Sequence, residues 1–196
     1  MIVRAFTVAG VVASMALAGL MGLSTSQIDG RFWPPGQRDW RFWVYIGLSG
    51  LPSVALPVIA VADSQTFVFA GTMWWAVGVA LAGVGTGGFL AATFDLGVET
   101  SSGMEGKLQT DGFYRYSRNP QLVFLLILVV GLVLAINSPN ATVVGVAMIC
   151  WLVSMPFAEE PWLRDQFGHD YETYLERVPR FLGLASIRRL VEDLGV

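Results

Sequence analysis

Five stretches of this chain are almost free of charge: about 2 to 23, 41 to 62, 67 to 93, 121 to 136 and 141 to 158, which between them hold only Arg4 and Arg41. Roughly 20 apolar residues in a helix cross a bilayer, and backbone inside lipid has to satisfy its own hydrogen bonds. Such runs therefore predict an all-α fold, a multi-pass membrane helical bundle with about five transmembrane helices. The last two runs are short, and Asn137 to Asn140 (NSPN) between them reads as a tight turn, so they form a helical hairpin. Pro52 and Pro57 are expected to kink the second span, a defect that neighbouring helices can absorb. In the third, the small residues of LAGVGTGGF (Leu81 to Phe89) permit either close helix contact or room for a ligand. The run from 2 to 23 reads as a span, since it is long for the apolar core of a cleaved leader with Arg4 as its charged flank.

With only 14% charged residues and a mean hydropathy of +0.58, the chain lies far from soluble domains, whose charged fraction is about a quarter. Cys150 is the single cysteine and His169 the single histidine. A disulfide framework, a thiolate metal site and histidine-based triads are thereby excluded, and no metal is expected. A net charge of -3 without a basic tract gives no footprint for nucleic acid.

Five crossings put the loops 24 to 40 and 94 to 120 and the tail 159 to 196 on one side. Counting Arg41 at the boundary, eleven of the twelve Lys and Arg residues fall there, so that side is expected to be cytoplasmic and the N-terminus to lie opposite. Polar chemistry must then be built from those loops and the tail. Residues 1 to 93 read as three transmembrane helices of the core bundle, and 94 to 196 as the region that carries the chemistry.

Two polar blocks stand out. The first, LQTDGFYRYSRNPQL (Leu108 to Leu122), runs straight into the fourth span and carries more than a membrane tether needs. The second begins at Glu159 and Glu160, where the fifth span ends. A charged side chain at full membrane depth costs about 2.5 to 3.5 kcal/mol and less near the edge, so these carboxylates either mark the water boundary or serve a pocket. Adjacent helical positions differ by about 100°, so one can face inward while the other flanks it. Beyond them Leu163, Phe167, Tyr171, Tyr174 and Val178 recur at helical spacing, predicting an interfacial amphipathic helix with an aromatic stripe turned inward. Such a stripe is either packing or a binding wall, and buried tyrosines want hydrogen-bond partners. His169 falls on the polar face and takes no role. Leu184 to Val196 predicts a second short amphipathic helix, with Arg188 and Arg189 able to reach lipid headgroups.

Taken in order, TDGFYRYSRNP, a short hairpin, EE and FGHDYETYLERVPRF resemble the integral-membrane methyltransferases that include isoprenylcysteine carboxyl methyltransferase and the phospholipid N-methyltransferases. The resemblance covers residues 108 to 182. It implies S-adenosylmethionine as cofactor, held by Lys107, Leu108, Gln109, Tyr114, Asn119, Pro120, Gln121, Leu122 and Glu159. It further implies that Arg118 and Glu160 brace the pocket, that Tyr171 and Tyr174 face the acceptor, and that the acceptor is a small lipophilic molecule or membrane lipid. Glu160 is the one acid available as a proton acceptor.

Three positions depart from the family pattern. Asn119 stands where histidine is usual and cannot take a proton at neutral pH. Leu122 replaces a tyrosine. Met155 stands near the place of an arginine that holds a carboxylate acceptor, and no Lys or Arg occurs between Arg118 and Arg164, so a neutral or amine-bearing acceptor is expected. An NADPH-dependent sterol-reductase-like enzyme is a second reading, disfavoured by the glutamate pair and the lack of a basic cluster for a 2'-phosphate. A transporter or assembly subunit is a third, disfavoured because 42 to 62 and 121 to 158 hold no charge.

Overall fold

The structure is a computed structural model and describes residues 1–26, 30–66 and 72–195. Helices α1 (Ile2–Ser24), α2 (Trp40–Ala62) and α3 (Thr72–Leu96) are followed by a single turn, α4 (Val98–Ser101), and a 3-10 turn at Gly112–Arg115. Then come α5 (Pro120–Ile136), α6 (Pro139–Arg177) and α7 (Leu184–Leu194). The first four spans agree with the apolar runs, except that residues 67 to 71 of the expected third span lie outside the described residues. α1, α2, α3 and α6 are long and apolar enough to cross a membrane, and α5 is a shorter apolar helix.

The helix ends follow local chemistry. Asp39 caps α2 by accepting from the Arg41 amide at 2.8 Å. Pro120 and Pro139 open α5 and α6, where a missing N–H costs nothing. Asn137 ends α5 in the left-handed region at φ 51°, and Ser138 caps α6 through the amides of Asn140 and Ala141. The hairpin turn is thus tighter than expected, because Pro139 and Asn140 already belong to the helix.

α1 packs between α2 and α6, while α5 lies against α6 on one side and α3 on the other. Leu17, Met21, Leu56, Ile59, Val144 and Leu152 fill the core. α2 runs through Pro52 and Pro57 as one helix. The α3–α5 seam explains the small-residue run: a methyl on Gly85 would lie 2.7 Å from Leu128 Cα, and one on Gly78 2.7 Å from the Gly131 carbonyl. Those glycines serve close backbone approach. Outward, Val8, Val12, Trp43, Val54, Val84 and Val146 are exposed, as lipid-facing surfaces of an integral membrane protein should be.

One expectation is corrected. The fifth span and the amphipathic helix part at Gly168 rather than just after the glutamate pair, because α6 continues through Pro156 and Pro161. The interruption is at Gly168, where φ 50° and ψ −124° break the helical path, a conformation open to glycine because it has no Cβ. Tyr171, Tyr174 and Val178 beyond it are buried with Leu108, Leu163 and Phe167.

α7 is amphipathic in an unusual sense. Leu184, Ile187, Leu190 and Val191 are exposed, whereas Ser186 is buried and donates to the Tyr116 carbonyl at 2.5 Å. Arg189, expected to reach headgroups, instead donates to the carbonyls of Arg115 at 2.5 Å and Arg177 at 3.0 Å.

Candidate active site

The loop before α5 is zipped onto the tail by its own backbone. The Arg118 amide donates to the Pro179 carbonyl at 2.9 Å, and Asn119 Nδ2 to the Arg180 carbonyl at 2.9 Å. Tyr174 donates its hydroxyl to the Tyr114 carbonyl at 2.7 Å. Both polar blocks therefore meet at one end of the bundle, across a cleft of about 940 Å³ including its open mouth.

Lys107, Leu108, Gln109, Tyr114, Arg118, Asn119, Gln121, Leu122, Glu159, Glu160, Tyr171 and Tyr174 all line that cleft. Pro120 does not; it is buried as the first residue of α5. Gln121 donates to Thr93 Oγ1 at 3.1 Å and Ser101 Oγ at 2.6 Å, tying the start of α5 to the end of α3. Asn119, by giving its amide to the tail, does structural work that needs no ionisable ring.

The two adjacent glutamates have different surroundings. Glu160 accepts from Arg118 Nη1 at 2.9 Å, Arg180 Nε at 2.7 Å and Arg180 Nη2 at 2.8 Å. Side-chain exposures of 6% for Glu160 and 11% for Arg118 make this a desolvated network that depends on its pairing. The Glu160 hydrogen bond holds Arg180 above its ordinary value, so the guanidinium stays charged. Glu159 accepts instead from the Trp33 indole, whose Nε1 lies 2.6 Å away. Among the described residues no cation lies within salt-bridge distance of Glu159.

Two other polar groups are poised in the wall. Arg118 Nε is buried without a hydrogen-bond acceptor. The Tyr114 phenol is pushed up from its ordinary value, first by burial and then by the Glu159 charge, so it stays protonated. Aromatic surface comes from Trp33, Tyr114, Trp162, Phe167, Tyr171 and Tyr174.

Sequence reasoning missed Trp33 and Arg180. Trp33 arrives by tertiary packing from the α1–α2 loop, 126 residues from its partner, and no local spacing could signal it. Arg180 directly follows the Val-Pro pair of the second block, so its place in that motif was a usable signal.

The fold and cleft define a multi-pass helical membrane protein whose polar chemistry is gathered at one end of its spans. Residues 68–170 match the model of the phospholipid methyltransferase family, and the chain belongs to that family. It is accordingly a membrane methyltransferase acting on membrane lipid. The match reaches back through α3, beyond the motif that begins at Leu108. Comparison with curated proteins and with solved structures gives no match.

Proposed function

We propose that this protein transfers a methyl group from S-adenosylmethionine to a small lipophilic or membrane-embedded acceptor at the cytoplasmic membrane face, as isoprenylcysteine carboxyl methyltransferase-like enzymes do. The observation that carries it is the pair of unspent groups in one wall, the Glu159 carboxylate without a cation and the Arg118 Nε–H without an acceptor. They suit the ammonium and carboxylate of an amino-acid head, since charge-assisted bonds of this kind are the strong ones. The aromatic walls suit an adenine and, near a cationic centre, a ring face.

When bound, S-adenosylmethionine supplies a methyl group on a positively charged sulfur. The chain's own residues then orient and shield. Glu159 holds positive charge at the cleft wall, Arg118 holds negative charge, and Glu160 with Arg180 keeps Arg118 in place. Lys107, Leu108, Gln109, Asn119 and Leu122 line the cofactor half of the cleft, and the Tyr171 and Tyr174 stripe forms the acceptor side. Pro120 acts indirectly by starting α5.

Alignment and water exclusion supply the rate, because in-line displacement rewards near-attack geometry. Glu160 is committed to two guanidiniums and serves as a brace rather than a base. His169 is exposed. Neither offers a free proton acceptor in the cleft, and with Glu159 given to the positive charge of the cofactor this favours an acceptor already nucleophilic, such as an amine or thiolate. Met155 lines the cleft and brings no charge of its own to a carboxylate. The clustering of eleven of twelve cationic residues on the cleft side supports the cytoplasmic orientation.

The test is calorimetric titration of S-adenosylmethionine into purified protein in lipid nanodiscs. Binding in the micromolar range is expected. Absence of binding to wild-type protein, with NADPH giving a thermal shift instead, would replace this reading by the reductase one.

A further inference from the structure

Trp33 lies outside the residues that match the family, in the loop between α1 and α2. Residues 30 to 39 of that loop are held by several hydrogen bonds. Ser24 Oγ accepts from the amides of Phe32 at 3.0 Å and Trp33 at 3.1 Å. Arg41 ties down the Arg31 carbonyl at 2.7 Å and is itself paired with Asp39 at 2.6 Å. The Gly36 amide donates to the Gly103 carbonyl at 3.0 Å, joining this loop to the segment before the first polar block. The indole is 2% exposed. One face stacks on Tyr45 at 4.1 Å, and at Gly103 even a Cβ would come within 2.9 Å of Trp33 Cη2. Wedged in this way, the ring presents its N–H to Glu159 and has little room to present it elsewhere.

A carboxylate can be held by a cation or by a neutral donor, and the consequences differ. Glu160 is held by two guanidiniums, which orient it and also cancel its charge. Glu159 is held by an indole, which orients it and leaves its charge for whatever enters the cleft. We infer that Trp33 is a positioning residue that fixes the Glu159 carboxylate without neutralising it, so that the loop around it is a third wall of the cleft, tuned for a cationic group on the ligand. This deepens the reading of the cleft as an S-adenosylmethionine site and rests on it. A purely packing role for Trp33 would require only the ring.

Trp33→Phe keeps a ring against Tyr45 and removes the N–H. Hydrogen bonds to charged groups are among the stronger ones, so this variant is expected to bind S-adenosylmethionine about tenfold more weakly or worse. In a Glu159→Gln background the same substitution should change affinity less than about twofold, because contacting residues are non-additive. Wild-type affinity in Trp33→Phe, or additive losses in the double variant, would overturn the inference while leaving the donor reading intact. A ligand-free readout separates the two ideas further. The indole ¹H–¹⁵N resonance of Trp33, assigned by its disappearance in Trp33→Phe, should shift in Glu159→Gln protein. An unmoved resonance would overturn the inference whether or not S-adenosylmethionine binds.

Discussion

At the end of the bundle where α2 stops and the α5–α6 turn lies, one carboxylate is wrapped by neutral donors. Asp63 accepts from Ser138 and, at 2.9 Å, from Asn140 Nδ2, while Asn140 accepts from Thr7 at 3.1 Å. The Gln65 amide closes onto the Ile136 carbonyl at 2.9 Å. At the opposite end, two carboxylates and two guanidiniums surround a cleft, and one guanidinium N–H and one carboxylate keep unspent capacity. The first arrangement joins α1, α2 and the hairpin, and its groups are consumed in doing so. The second does the same for α5, α6 and the tail and still has chemistry to offer a ligand. Polar residues at a membrane boundary thus separate into those that finish the fold and those the fold leaves unfinished, and the partners of each atom show which is which.

That contrast can be broken from either end. Glu160→Ala leaves the buried Arg118 and the partly exposed Arg180 without their carboxylate and should cost about 3 kcal/mol, read as a lowered unfolding midpoint together with loss of cofactor binding. Glu159→Ala should weaken S-adenosylmethionine binding by about 100-fold, or about 2.7 kcal/mol. Its unfolding midpoint should fall less than that of Glu160→Ala, because the Trp33 N–H loses its acceptor but no ion pair is lost. At the other end, Ser138→Ala removes the α6 cap and one Asp63 partner, costing about 1 kcal/mol. Titration should find its cofactor affinity unchanged, and a tenfold loss there would show that the two ends are not separable.

The smallest effect concerns pH. Hydrogen bonds from Ser138 first, and then Asn140, hold the Asp63 carboxyl below its ordinary value. A depressed value in the folded state means that the contribution is fully present above the unfolded range, about pH 4, and is lost as pH falls through the folded value. The unfolding midpoint should therefore drop as the pH falls below about 4. In Asp63→Asn that part of the drop should be missing.

Much of this was legible in the chain, for identifiable reasons. Apolar runs marked the spans because lipid forbids alternatives, and α1, α2 and α5 begin and end within a residue or two of them. The residues around Tyr114, Arg118, Glu159 and Tyr174 could be grouped through the family resemblance of their two motifs, and a short hairpin brings the flanks that carry them together. Two features were illegible. Gly168 sits inside a continuous amphipathic pattern, and periodicity cannot register a single residue that departs from helical dihedrals. The glutamate pair marked the end of the fifth span, yet α6 runs on through Pro156 and Pro161, since a helix can carry a proline when its neighbours hold it in place.

The turn at Asn137 has one more consequence. α5 holds 17 residues, about 25 Å at 1.5 Å per residue, and α6 returns from the same pivot to Glu159. The hairpin is therefore a calliper whose jaws carry the two polar blocks and whose joint lies a full span away. Adding one residue to either arm would advance its jaw by about 1.5 Å and swing it by about 100°. The distance from Arg118 to Glu159 is in this sense stored as helix length, and the gauge of the cleft could be reset by an insertion in the middle of the membrane, far from any residue a ligand would touch.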